Sequence, residues 1–185
     1  MEKSIIIAGS GGQGVLFLGR LLTYAGMIEG KEVTWFPSYG AEIRGGTANC
    51  TAIISDEMIG SPVISNPDAL IVMNRASYDR FSERLKPGGI LIYDSSLFGI
   101  DGHRDDIKTI AVPASTEAAS LKGTKSANMV LTGAFIAVSG VLGINSIYNA
   151  LDKITPSHRK DFININKELI QKGYNLLEDK KGISI

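Results

Sequence analysis

Apolar and polar positions alternate along this chain in two rhythms, one of period two and one near 3.6, and the switches between them outline its elements. Residues 4–8 form a short β-branched run cut off by glycine, the pattern of a buried parallel strand. Residues 9–14 turn the chain. Over residues 15–29, Val15, Leu18, Leu22 and Ala25 recur at helical spacing, and Gly30 supplies a stop. Residues 32–36, "EVTWF", predict a second strand closed by Pro37. The following "PSYGAEIRGG" is rich in turn formers and has no helical period, while "TANCTAIIS" alternates like a half-exposed third strand. Strands two and three are therefore joined by a loop, which permits an antiparallel or out-of-order strand and sets that loop on the rim of the sheet.

Further on, residues 69–73 predict a fourth strand, 75–85 a polar helix, 90–93 a fifth strand after a Pro-Gly-Gly turn, and 108–112 a sixth closed by Pro113. The remainder reads as helical: 116–121, a long apolar stretch over 128–144, a shorter piece from about 146, and the segment from 158. No repeat or low-complexity linker interrupts the pattern. The expected fold is α/β, a three-layer Rossmann-like sandwich with a mostly parallel sheet and a helical C-terminal part, in one domain spanning residues 1–185.

Composition narrows the function classes. Lys+Arg and Asp+Glu both number 19, so no net field draws the chain to nucleic acid or to an anionic membrane. The apolar stretch 128–144 is uncharged but broken by glycines and serine, which reads as a buried core helix and not a membrane span. The opening "MEKSIIIAG" holds too few apolar residues for a signal-peptide core, so the expected location is the cytoplasm. A single cysteine, Cys50, cannot close an internal disulfide or hold a thiolate cluster, and it is expected to be a small buried side chain. His103 and His158 stand in no metal-ligand spacing and are expected at the surface, so no metal site is expected.

Four glycines, Gly9, Gly11, Gly12 and Gly14, crowd the turn "GSGGQG" between a predicted strand and a predicted helix. Glycines there let the backbone approach a ligand, and a helix amino terminus offers N–H groups to an anion. Gly9, Gly11 and Gly14 match the dinucleotide motif in letter, but the second strand ends in Trp35, Phe36, Pro37 and Ser38 and lacks the acid that would hold a ribose. Three readings stay open for the loop: tight packing of helix on sheet, a phosphate-bearing ligand other than NAD(P), or approach of a partner subunit. Gln13, inside the turn, could touch a ligand or brace the loop.

The motifs "GSGGQGV", "SYGAEIRGGTANCTAIIS" and "KSANMVLTGA", in this order, make the chain resemble the gamma subunit of the 2-oxoacid:ferredoxin oxidoreductases, most nearly the 2-oxoglutarate form. The resemblance spans about residues 4–180. It implies an enzyme in which a 2-oxoacid is decarboxylated on thiamine diphosphate, electrons leave through iron–sulfur clusters to ferredoxin, and the acyl group passes to coenzyme A. This chain has neither a thiamine–magnesium motif nor the cysteines for a cluster, so thiamine diphosphate, magnesium and the clusters are expected in partner alpha, beta and ferredoxin-like delta subunits. No catalytic residue is expected here. Indolepyruvate, pyruvate and branched-chain 2-oxoacids are alternative substrates within the family; a stand-alone nucleotide-binding module and an NAD(P)-dependent reductase are the readings outside it.

In that setting the rim loop gains candidate roles. Arg44 could fork onto a phosphate of coenzyme A, onto a carboxylate across a subunit interface, or onto Glu42. Gly40, Gly45 and Gly46 would let the backbone come close to another surface. Ser38 and Tyr39 are further candidates for partner or coenzyme A contact, with edge packing the plainer role for Tyr39. Asn128, in "SAN", reads as part of a helix start as well as a candidate contact. An isolated chain is expected to pair with its own copy through the surface it would present to partners.

Overall fold

The computed structural model describes residues 1–39, 47–102, 104–121 and 126–181. Six strands form one sheet: β1 (Glu2–Ser10), β2 (Glu32–Tyr39), β3 (Thr47–Ser55), β4 (Ala69–Val72), β5 (Ile90–Asp94) and β6 (Lys108–Val112). The six helices are α1 (Val15–Ile28), α2 (Arg75–Phe81), α3 (Ala114–Ser120), α4 (Ala127–Ser139), α5 (Ile144–Ile154) and α6 (Ile163–Lys181), and short 3-10 helices cover Ser82–Arg84 and Ser157–Phe162.

Spatially the strands run β2-β3-β1-β4-β5-β6. β1, β4, β5 and β6 are parallel neighbours, whereas β3 is antiparallel to both β1 and β2. β2 consequently points the same way as β1, and its C-terminal end lies on the same edge of the sheet. The loop connection between β2 and β3 is what makes this inserted antiparallel strand possible, since no crossover helix is needed.

Period-two alternation sorts β1 onto two cores. Ile5 and Ile7 join the larger core with α1, α3, α4, α5 and α6, while Ile6 and Ala8 join a smaller one with Phe81, Leu85, Leu70, Val72 and Tyr93 beneath α2. The result is three layers of unequal weight. α4 is the pivot of the heavier layer: residues 128–137 are all buried, because the helix is enclosed by the sheet, α3 and α6 and so needs no polar face. α4 and α6 cross at Gly133 and Gly173, where a methyl group on either would run into a carbonyl oxygen of the other helix. Among the described residues no helix is long and apolar enough to cross a membrane.

Several boundaries depart from expectation. β2 runs through Pro37 to Tyr39, because it is an edge strand where a missing N–H costs no ladder bond on the open side. β3 is mostly buried, not half-exposed, since it sits between two strands under α1. The apolar stretch 128–144 is not one helix: Gly140 at φ 60° ends α4 and a short link leads into α5. α2 stops at Phe81 and tightens into 3-10 geometry, and the region from 158 starts as a 3-10 helix before α6. α3 begins at Ala114, directly after Pro113.

Candidate functional site

The glycine turn leaves the C-terminal end of β1 and enters α1. Gly12 and Gly14 take left-handed backbone, φ 91° and 77°, which only glycine adopts without strain here. Gln13 holds the turn: its Oε1 accepts from Ser10 N at 2.6 Å, and its Nε2 donates to Met73 O at 3.0 Å. The side chain thus ties β1 to the end of β4 and is committed to bracing. Ser10 Oγ accepts from Asn74 Nδ2 at 2.7 Å, and Asn74 Oδ1 caps α2 through Ser77 N at 2.8 Å. Gly11 and Gly12 have open space beside their Cα atoms, whereas Gly9 is pressed against Gln13, Met73 and Val15. Packing explains Gly9; exposure to an incoming group describes Gly11 and Gly12.

Asn128, in the first turn of α4, is 7% exposed and donates from Nδ2 to Gly14 O at 3.3 Å. The expected helix start is present, with Ser126 as the residue before the helix, and the asparagine also fastens the glycine turn to the second helical layer. Neither α1 nor α4 has a side-chain cap or an acidic residue in its first turn, so both present unneutralised amino termini.

Between these termini, the end of α5 and the start of α6 lies a cavity of about 560 Å³. Gly12, Gln13, Gly14, Phe17 and Arg20 form one wall, Asn128 and Met129 the floor, and Ile154, Arg159, Phe162 and Asn166 the opposite wall. No Asp or Glu lines it. Arg20 lies over the Tyr24 ring at 5.4 Å, and among the described residues neither Arg20 nor Arg159 has a carboxylate partner. Asn166 Oδ1 is shut off from solvent without a hydrogen-bond partner.

The sequence candidates therefore separate into two groups. Gly11, Gly12, Gly14, Gln13 and Asn128 meet around this cavity or its rim, and Gly9 supports it from behind. Ser38 is exposed near the end of β2 and outside the cavity lining. The Tyr39 backbone pairs with Ala48, while Gly40, Glu42, Arg44, Gly45 and Gly46 lie outside the described residues. The strand ends bounding that segment, Tyr39 and Thr47, sit on the same edge of the sheet as Gly9 and Ser10. Arg20, Arg159, Phe162 and Asn166 escaped the sequence reading. Arg20 was within reach, because it follows Phe17 by three residues and so shares its helical face; the others belong to a segment with no motif.

Glu29 and Glu32, the acids nearest the dinucleotide spacing, are elsewhere. Glu29 Oε1 accepts from Gly143 N at 2.7 Å, joining the end of α1 to the start of α5, and Glu32 opens β2 at the far edge. Cys50 is fully buried against α1; burial pushes its thiol up to about 12, despite hydrogen bonding with Trp35 and Gly19. His158 is exposed, and His103 lies outside the described residues. Among the described residues no three His, Cys, Asp or Glu side chains cluster as metal ligands.

Residues 4–176 match the family model described as pyruvate ferredoxin/flavodoxin oxidoreductase. The ketoisovalerate oxidoreductase subunit VorA of Methanothermobacter thermautotrophicus is 37% identical over 93% of this chain and 36% of its own length. The chain thus spans about a third of that relative. A solved keto/oxoacid ferredoxin oxidoreductase gamma subunit from Geobacter sulfurreducens is 30% identical, with a TM-score of 0.80 over 95% of both chains. The 2-oxoglutarate:ferredoxin oxidoreductase of Magnetococcus marinus, solved with 2-oxoglutarate, coenzyme A and succinyl-CoA bound, is 26% identical at a TM-score of 0.87, over 99% of this chain and 32% of that one.

Proposed function

The chain belongs to the pyruvate ferredoxin/flavodoxin oxidoreductase family in its gamma-subunit form, and from that premise we propose that it serves a 2-oxoglutarate:ferredoxin oxidoreductase as a non-catalytic subunit that helps enclose the coenzyme A region. The observation that carries this reading is the similarity in length and fold to a separate gamma subunit across 95% of both chains. 2-Oxoglutarate is favoured by the sequence motifs and by the similarity to an enzyme solved with that substrate. Ketoisovalerate is the second reading, supported by the 37% identity to VorA.

The residues of this chain suit an accessory role. Its one cysteine is buried and held protonated, so it offers no thiolate to a cluster. Thiamine diphosphate would supply the decarboxylation from a partner subunit. What this chain contributes is shape: the glycine turn and the segment 40–46 leave the sheet on one edge, where backbone can approach a partner closely and exclude water from a reactive acyl group. Arg44 would fork onto a partner carboxylate or a coenzyme A phosphate.

Affinity purification of the tagged chain from its native cells tests the reading. Co-purification of a thiamine-binding subunit and a ferredoxin-like subunit is expected, and Arg44→Ala is expected to lower assembly or acyl-CoA formation at least tenfold. Recovery of the chain alone, or wild-type behaviour of the variant in both assays, would contradict the respective parts.

A further inference from the structure

We infer that the cavity between the glycine turn and the α5–α6 corner is a binding site for a nucleoside pyrophosphate, held by Arg20 and Arg159. The inference rests on this chain's own side chains and not on its assignment to a multisubunit enzyme. At about 560 Å³ the cavity falls within the range of small-molecule sites, roughly 300–1,000 Å³. Its charge is one-sided. Two guanidiniums line it, no carboxylate does, and neither arginine is neutralised by an ion pair among the described residues.

Each guanidinium can fork onto one phosphoryl group, so two of them on facing walls fit a pyrophosphate better than a single phosphate. The open backbone at Gly11 and Gly12 lets an anion come close to the turn, where two uncapped helix termini add their partial charge. The rest of the lining is of another kind. Phe17, Met129 and Phe162 give an apolar bed for a flat ring. Asn166 Oδ1, buried and without a donor, would accept from an exocyclic amino group of that ring and so lose the cost of its isolation. Pyrophosphate, ring and amino group together describe a nucleotide.

The same chemistry occurs in a free nucleoside diphosphate and in the nucleotide half of coenzyme A, and calorimetric titration of the full-length chain distinguishes them. ADP, coenzyme A and inorganic phosphate are titrated separately into wild type and into Arg20→Ala and Arg159→Ala, two exposed positions whose truncation leaves the core intact. Saturable sub-millimolar binding of ADP or coenzyme A is expected, weakened at least tenfold by either substitution. Coenzyme A binding at least tenfold tighter than ADP would identify it as the source, and equal affinities would identify the free nucleotide. Absence of saturable binding by both, inorganic phosphate binding as tightly as either, or unchanged affinity in both variants would overturn the inference. Because no partner subunit enters the experiment, nucleotide binding with failed assembly would count against the subunit reading alone.

Discussion

Gln13 shows how one side chain decides between two readings of a motif. The letters of the turn left it free to touch a ligand or to brace the loop; its two hydrogen bonds to backbone atoms of residues 10 and 73 assign it to bracing. Replacing it by alanine strands a partly buried N–H and carbonyl, so Gln13→Ala should lose about 1–3 kcal/mol in denaturant unfolding. Gln13→Glu should restore the acceptor but not the donor and fall in between. Cys50 gives a pH-dependent prediction. Its thiol is raised from 9.0 to about 12 in the fold, so the unfolded chain releases a proton first as pH climbs. Stability from this group is intact below pH 9 and declines between pH 9 and 12, at about 1.4 kcal/mol per pH unit. Cys50→Ala should remove that part of the alkaline slope, and native Cys50 should resist thiol reagents at pH 8 until the protein unfolds. The burial of Cys50 was legible from its apolar strand neighbours. The role of Gln13 was not, because it depends on Met73, sixty residues away.

Among the elements, local patterns foretold which segments are strands and which are helices, and failed where long-range packing decides. Pro37 looked like a stop because proline lacks an N–H, yet the edge position of β2 tolerates it. The apolar run 128–144 carried no polar face to mark its turn at Gly140, since all its neighbours are protein. The glycines at 133 and 173 lay in helical patterns as apparent weaknesses; they are the contact at which α4 and α6 approach backbone to backbone. Gly133→Ala or Gly173→Ala should therefore destabilise by about 3 kcal/mol, well beyond the gain in helix propensity, as read from urea or guanidinium midpoints. Since α6 carries Asn166 and α4 carries Asn128 and Met129, either variant should also weaken any ligand of the cavity.

For the whole molecule, the sheet order, the two unequal helical layers and the gathering of loops on one edge follow from a single feature, the loop-joined β2–β3 pair that inserts an antiparallel strand beside β1. That feature was visible in the sequence as a missing helical period between two strands. The cavity was only half visible: its glycine wall is a motif, whereas its arginine and aromatic wall comes from the C-terminal helices, which fold back through the α4–α6 crossing. The central claim, that this chain supplies shape and anion contacts to a reaction whose redox centres belong to its companions, is tested most directly by reconstitution. Ferredoxin reduction is measured with 2-oxoglutarate and coenzyme A for the chain alone, for the companion subunits without it, and for the mixture. The account predicts no turnover by the chain alone and at least tenfold faster turnover when it joins its companions. Turnover by the isolated chain, or companions fully active without it, would contradict the account.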